Sequence, residues 1–198
     1  MRTSVTSTTI ALIVLTASGV SAVGAPRAAA AGDAASRAAK ITSALSAAPR
    51  SVSAHATVKD YPSSPKAQAP VLRAGGSAWT CFPDDPTTPG PDPICLDRQS
   101  LAWVDAWLAH KPPHLSSDGY SYMLRGSSDA SDTDPFATKP PKGERWMTAP
   151  PHVMVFPAHP AALNRYSGDR GKGGPWVMFR GTPYAHLMFP VGSADTMR

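Results

Sequence analysis

Cysteine is almost absent from this chain, and so is any cluster of charge. Two Cys in 198 residues exclude a cysteine-rich zinc module, and their separation excludes the Cys-x-x-Cys spacing of a redox pair. Charged residues make up only 17%, which with 22 Pro and 15 Gly argues against a coiled coil and for a loop-rich fold. No Gly-x-y period is present, so collagen is excluded, and aromatic and branched residues in the second half exclude global disorder. Phosphate and nucleophile signatures are missing too. Gly168 to Gly174 lacks the terminal Ser/Thr of a nucleotide loop, and Gly119-Tyr-Ser-Tyr-Met123 lacks the second Gly of a nucleophile elbow.

The one long apolar run lies at the amino end. Arg2, the stretch Ile10 to Leu15 and the small residues Val20-Ser21-Ala22 match an export signal cut after Ala22. A cut after Ala25 would leave Pro26 next to the scissile bond. The run is interrupted by Thr16, Ser18, Gly19 and Ser21, too short to span a bilayer. The expected organisation is a signal peptide at 1–22, a flexible Ala-rich linker at 23–33 and a single mixed α+β domain at 34–198. The expected location is secreted or periplasmic, and the mature chain is expected to be a soluble monomer.

The formal charge of +5 is misleading about partners. Residues 23–77 carry Arg27, Arg37, Lys40, Arg50, Lys59, Lys66 and Arg73 against Asp33 and Asp60, whereas residues 78–198 are slightly acidic. A diffuse basic balance without a stripe does not fit nucleic acid.

Cys81 and Cys95 enclose thirteen residues, five of them Pro. In an oxidising compartment these two are expected to form one structural bridge, with Cα atoms roughly 4.4–6.8 Å apart. The periodicity of Ala34 to Ala48 predicts a modest helix, and Asp97 is placed to cap a stronger one reaching about His110 on the stripe Leu101, Val104, Trp107, Leu108. Strands are predicted at Thr57 to Asp60, Tyr120 to Leu124 and Pro151 to Phe156, and a short helix at Ala161 to Tyr166. Hairpins are predicted for Val71–Arg73 with Trp79–Phe82, and for Trp176–Arg180 with Tyr184–Phe189. Gly126 to Arg145 reads as a long polar loop. The fold class is α+β, a small mostly antiparallel sheet with one or two covering helices. The last hairpin is expected at the centre, with one face on Trp103 and Trp107 and the His186 face beneath the long loop.

Three blocks in fixed order carry a resemblance: Trp79-Thr-Cys-Phe with Asp92-Pro-Ile-Cys-Leu-Asp97, then Asp129-Ala-Ser-Asp-Thr-Asp-Pro135, then Gly174-Pro-Trp-Val-Met178 with Gly181-Thr-Pro-Tyr-Ala-His-Leu-Met188. Over roughly residues 38–191 the chain resembles a family of uncharacterised exported bacterial proteins. That resemblance implies export and one domain, and it transfers no catalytic residue.

The most informative constellation is a repeated His-x-Met, His152-Val-Met154 and His186-Leu-Met188. Strand alternation puts each His with its Met on one face. If the strands are neighbours, imidazole and thioether converge as a soft donor set for copper, especially Cu(I). The alternatives are Met and His filling an apolar face, a small hydrolase with His186 as general base beside Tyr184 and an acid such as Asp134, or an envelope scaffold without a small ligand. Asp129, Asp132 and Asp134 lack EF-hand spacing and are expected to form side-chain turns rather than a calcium site.

Overall fold

The structure is a computed structural model that describes residues 25–64 and 67–191. The signal-peptide reading at 1–22 and the start of the linker lie outside these residues. Helix α1 (Ala25–Leu45) is followed by a short helical turn α2 (Arg50–Ser53). Strands β1 (Thr57–Lys59), β2 (Val71–Arg73), β3 (Thr80–Phe82) and β4 (Ile94–Leu96) lead to helix α3 (Arg98–Leu108). After it come β5 (Gly119–Met123), β6 (Ser127–Asp129), β7 (Met147–Ala149), β8 (His152–Phe156), β9 (Trp176–Met178) and β10 (His186–Pro190). A 3₁₀ helix at Pro160–Arg165 and a 3₁₀ turn at Arg170–Lys172 separate β8 from β9.

Eight strands form one sheet in the order β2-β1-β3-β4-β5-β8-β10-β9, antiparallel except for β1 with β3, and β6 with β7 form a separate ribbon. The α+β class expected from the sequence is therefore the class observed. Alternation along β5 and β8 divides the sheet into two faces, since every second residue of each strand is buried most deeply.

Helix α3 covers one face. Asp97 caps it as expected, its Oδ1 accepting from the Ser100 amide at 2.7 Å and its Oδ2 from the Tyr120 amide at 3.0 Å. The helix stops through paired bonds from His110 N to Trp107 O and from Lys111 N to Ala106 O, with His110 at φ 54°. Trp103 is the anchor: it is buried against Phe156, Tyr184 and His186, with ring centroids 4.7, 6.0 and 5.2 Å away. On the opposite face the carboxyl end of α1 and the residues after it, Ala44, Ala47 and Ala48, pack with Val58, Leu72, Cys81 and Cys95. At the other end of that face, Leu163 of the 3₁₀ helix packs with Val177 and Leu187.

Four local expectations are corrected. α1 begins at Ala25, so the segment taken for a linker is helical from there, although residues 32–40 are exposed. β2 does not pair with β3: β1 lies between them, and Gly75 passes so close that a Cβ would meet the Ala56 carbonyl carbon at 2.3 Å. That contact steers the chain across β1 and prevents a tight hairpin. The long polar loop opens with β6, which pairs with β7 just beyond the loop's end, and Ser127 and Ser128 are buried. Finally, the β9–β10 hairpin forms but ends the sheet instead of centring it. The exposed edge of β9 is closed by Ser167, which accepts from Val177 N at 2.7 Å.

Cys81 and Cys95 are disulfide-bonded, with Cα atoms 4.0 Å apart. The spacing falls just below the expected range, and the two sit directly opposite each other on β3 and β4.

Candidate functional site

His152, Met154, His186 and Met188 all lie on the α3 face of two adjacent strands. Register decides which of them are neighbours. Met154 stands directly opposite Met188, and that rung continues to Ser121 on β5 and Trp176 on β9. The next rung sets His152 between Met123 on β5 and Pro190 on β10. His186 occupies the rung on the far side, opposite Met178 and stacked on Phe156 at 5.0 Å. Four residues of strand therefore separate the two histidines, about 13 Å along the sheet at about 3.3 Å per residue.

Both imidazoles have methionines on neighbouring positions of the face, Met178 and Met188 beside His186 and Met123 and Met154 beside His152, and they differ in their other neighbours. His186 is caged by Phe156, Trp103 and Phe179, and its Nδ1 bonds the Tyr184 carbonyl at 3.0 Å. Burial pushes its pKa down to about 4, so it is neutral. His152 is fully buried and likewise pushed down to about 4 by burial. Its Nδ1 is 2.7 Å from the Pro150 carbonyl, and because a carbonyl can only accept, Nδ1 carries the proton. Nε2 is then a bare lone pair, buried and without a hydrogen-bond partner. Around it on the same face stand Met123 opposite, Met154 two residues along β8, and Met188 on the diagonal, members of one core cluster.

Unpartnered buried polar atoms concentrate here. Among the described residues, Ser121 Oγ and His152 Nε2 lack partners on adjacent rungs of this face, whereas the Trp176 indole N–H lies by the Asp132 carboxyl and draws its pKa down against the effect of burial. Such groups are rare in native interiors. Thioether and imidazole are neutral donors, a type suited to Cu(I). The backbone carbonyl on the far ring nitrogen is the arrangement by which metal-binding histidines are oriented. Met123 was not singled out from sequence. Alternation along Tyr120 to Leu124 gave its face, but only register could place it beside His152.

Other sequence candidates take local roles. Asp134 is exposed and its Oδ1 accepts from Phe136 N at 2.9 Å, while His186 bonds Tyr184 through backbone oxygen, so the three do not form a relay. Ser131 Oγ accepts from Thr133 N and Asp134 N, the side-chain turn expected of this stretch. Asp129 accepts from Ser127 Oγ at 2.8 Å and is pushed up to about 6 by burial. Asp132 is raised by burial as well, against the pull of Arg170. Among the described residues, no three His, Cys, Asp or Glu side chains come together to hold a metal, and no helix is long and apolar enough to cross a membrane.

No protein-family model, curated protein or solved structure matches this chain.

Proposed function

We propose that this chain is an exported, monomeric copper-binding domain that takes Cu(I) at His152, Met123, Met154 and Met188. The observation that carries the reading is the bare, buried Nε2 of His152 set among three methionines. His186 supports the site from the next rung but one, as a packed aromatic neighbour in place of a ligand. The amino-terminal signal pattern and the disulfide fit an oxidising compartment, where thiolate-free sites are the chemically durable way to hold copper. A ligand set this deeply buried requires the covering β6–β7 ribbon, which packs Met147 and Ala149 on the cluster, to open during uptake.

The test is competition for Cu(I) against bicinchoninate under ascorbate, without oxygen, using the mature chain. One equivalent retained per chain is expected. Met154→Leu with Met188→Leu conserves volume, so the fold should survive at a cost under about 1.5 kcal/mol per site while retention is lost. His152→Gln should lose retention and His186→Gln should keep it. Wild-type protein that releases all its copper to the competitor would overturn the reading.

A further inference from the structure

A second site stands on the opposite face of β9 and β10 and owes nothing to the copper reading. A cavity of about 220 Å³ opens between the 3₁₀ helix Pro160–Arg165 and the β9–β10 turn. Leu163 and Val177, both buried, and Ala185 line it with apolar surface, while Asn164, Arg180 and Thr182 supply its polar side.

Arg180 is held in place. One guanidinium nitrogen donates to the Tyr166 carbonyl at 2.6 Å, and the side-chain stem lies against Gly168, where an added Cβ would come within 3.0 Å of its Cδ. The turn that presents it is strained: Phe179 has φ 56°, a conformation that bulky residues seldom adopt, and Gly181 has φ 82°. Phe179 is kept there by its amide on the Asp132 carbonyl at 2.8 Å and by its own carbonyl accepting from Thr182 N and Oγ1. The local charge is of one sign. Between residues 159 and 182 stand Arg165, Arg170, Lys172 and Arg180 against Asp169 alone, in a half of the chain that is otherwise acidic.

We infer that this cavity binds a short apolar carboxylate, its tail on Leu163, Val177 and Ala185 and its carboxylate on Arg180. The volume is that of roughly seven water-sized groups, enough for the tail of a chain of about five or six carbons. A guanidinium with one donor already anchored offers the rest in a fixed fork that matches a carboxylate.

The experiment is an amide-shift NMR titration of the ¹⁵N-labelled mature chain with hexanoate, beside hexanol and acetate at the same concentrations. Hexanoate is expected to move the Val177, Thr182 and Ala185 amides in a saturable manner, and both controls to bind at least about tenfold more weakly. Arg180→Gln should weaken hexanoate by about tenfold and bring it level with hexanol. Ala185→Trp, which fills the cavity without touching the charge, should abolish the shifts. The wild-type comparison decides the matter even where a variant fails to fold. Equal responses to hexanoate and hexanol, shifts confined to other regions, or no shift up to about 20 mM hexanoate would each sink the proposal.

Discussion

Asp129 shows how much a single side chain can cost this fold. Its carboxyl is enclosed with Ser127, Asp132 and Arg170, and burial pushes its pKa from 3.8 up to about 6. Between about pH 4 and 6 the folded form therefore holds a proton that the unfolded form has released, and stability falls as pH rises through this range. Above about pH 6 the full penalty is present, on the order of 3 kcal/mol from the size of the shift. Asp129→Asn removes it while keeping an acceptor for the Ser127 hydroxyl. The variant is expected to be more stable than wild type by about 1–3 kcal/mol at pH 8, with no gain at pH 4, by urea unfolding at both values. A loss of stability at pH 8 would show that Arg170 outweighs the burial. At the residue scale, the sequence also carried the His-x-Met repeats in plain view, and the strand period correctly put each pair on one face. It could not show that Met123 stands opposite His152, because sequence distance between β5 and β8 says nothing of their pairing.

Among the elements, α3 and β5 meet at a point where only glycine fits. A Cβ on Gly119 would lie 2.5 Å from the Ser100 amide nitrogen and 2.9 Å from the Gln99 carbonyl carbon, so backbone meets backbone at the helix start. Gly119→Ala must push α3 off the sheet, loosening the Asp97 cap and the Trp103 anchor together. We expect a loss of about 2–3 kcal/mol in chemical denaturation; a change below about 0.5 kcal/mol would mean that the helix start can shift freely. The elements most legible in sequence were those specified by their own residues. α3 announced itself by a cap, an apolar stripe and a Pro-Pro stop, and β8 and the β9–β10 hairpin by alternation about a turn. β4 and the β6–β7 ribbon were not legible, since three-residue strands flanked by Pro or Ser become strands only when a partner edge supplies their hydrogen bonds.

Taken as a whole, the molecule is a sheet covered on both faces but unevenly along α1. Residues 32–40 of that helix are exposed, and burial begins in earnest only at Ala44. Arg37 reaches the Leu72 carbonyl and Lys40 pairs with Asp60 at 2.6 Å, so among the described side chains the polar contacts of α1 with the sheet begin at Arg37. Substituting the exposed residues 32–36 is expected to move the melting temperature by no more than about 2 °C, because exposed helix positions contribute less than about 0.5 kcal/mol. A larger drop in calorimetry would assign the exposed part of α1 a packing role. The coverage of the sheet also departs from expectation in an instructive way. α3 and the segment from Asp132 to Phe136 share the His186 face, with Trp107 Nε1 donating to the Pro135 carbonyl at 2.7 Å, while the Leu187 face belongs to the 3₁₀ helix. Strand alternation named both faces correctly but had no means of telling which layer would cover which.

What the sequence determined by itself is local chemistry: one bridge between the two cysteines, a capped helix at Asp97, and His and Met sharing a face on each of two strands. The bridge follows from there being two cysteines to pair, and the other two outcomes depend on neighbours within a few residues, whose geometry the backbone period imposes. The tertiary structure alone decided the register of β5, β8 and β10, and so which imidazole stacks on Phe156 and which stands opposite Met123. Register follows from the summed burial of whole strands, and a shift of two residues would keep every side chain on its face while exchanging every partner.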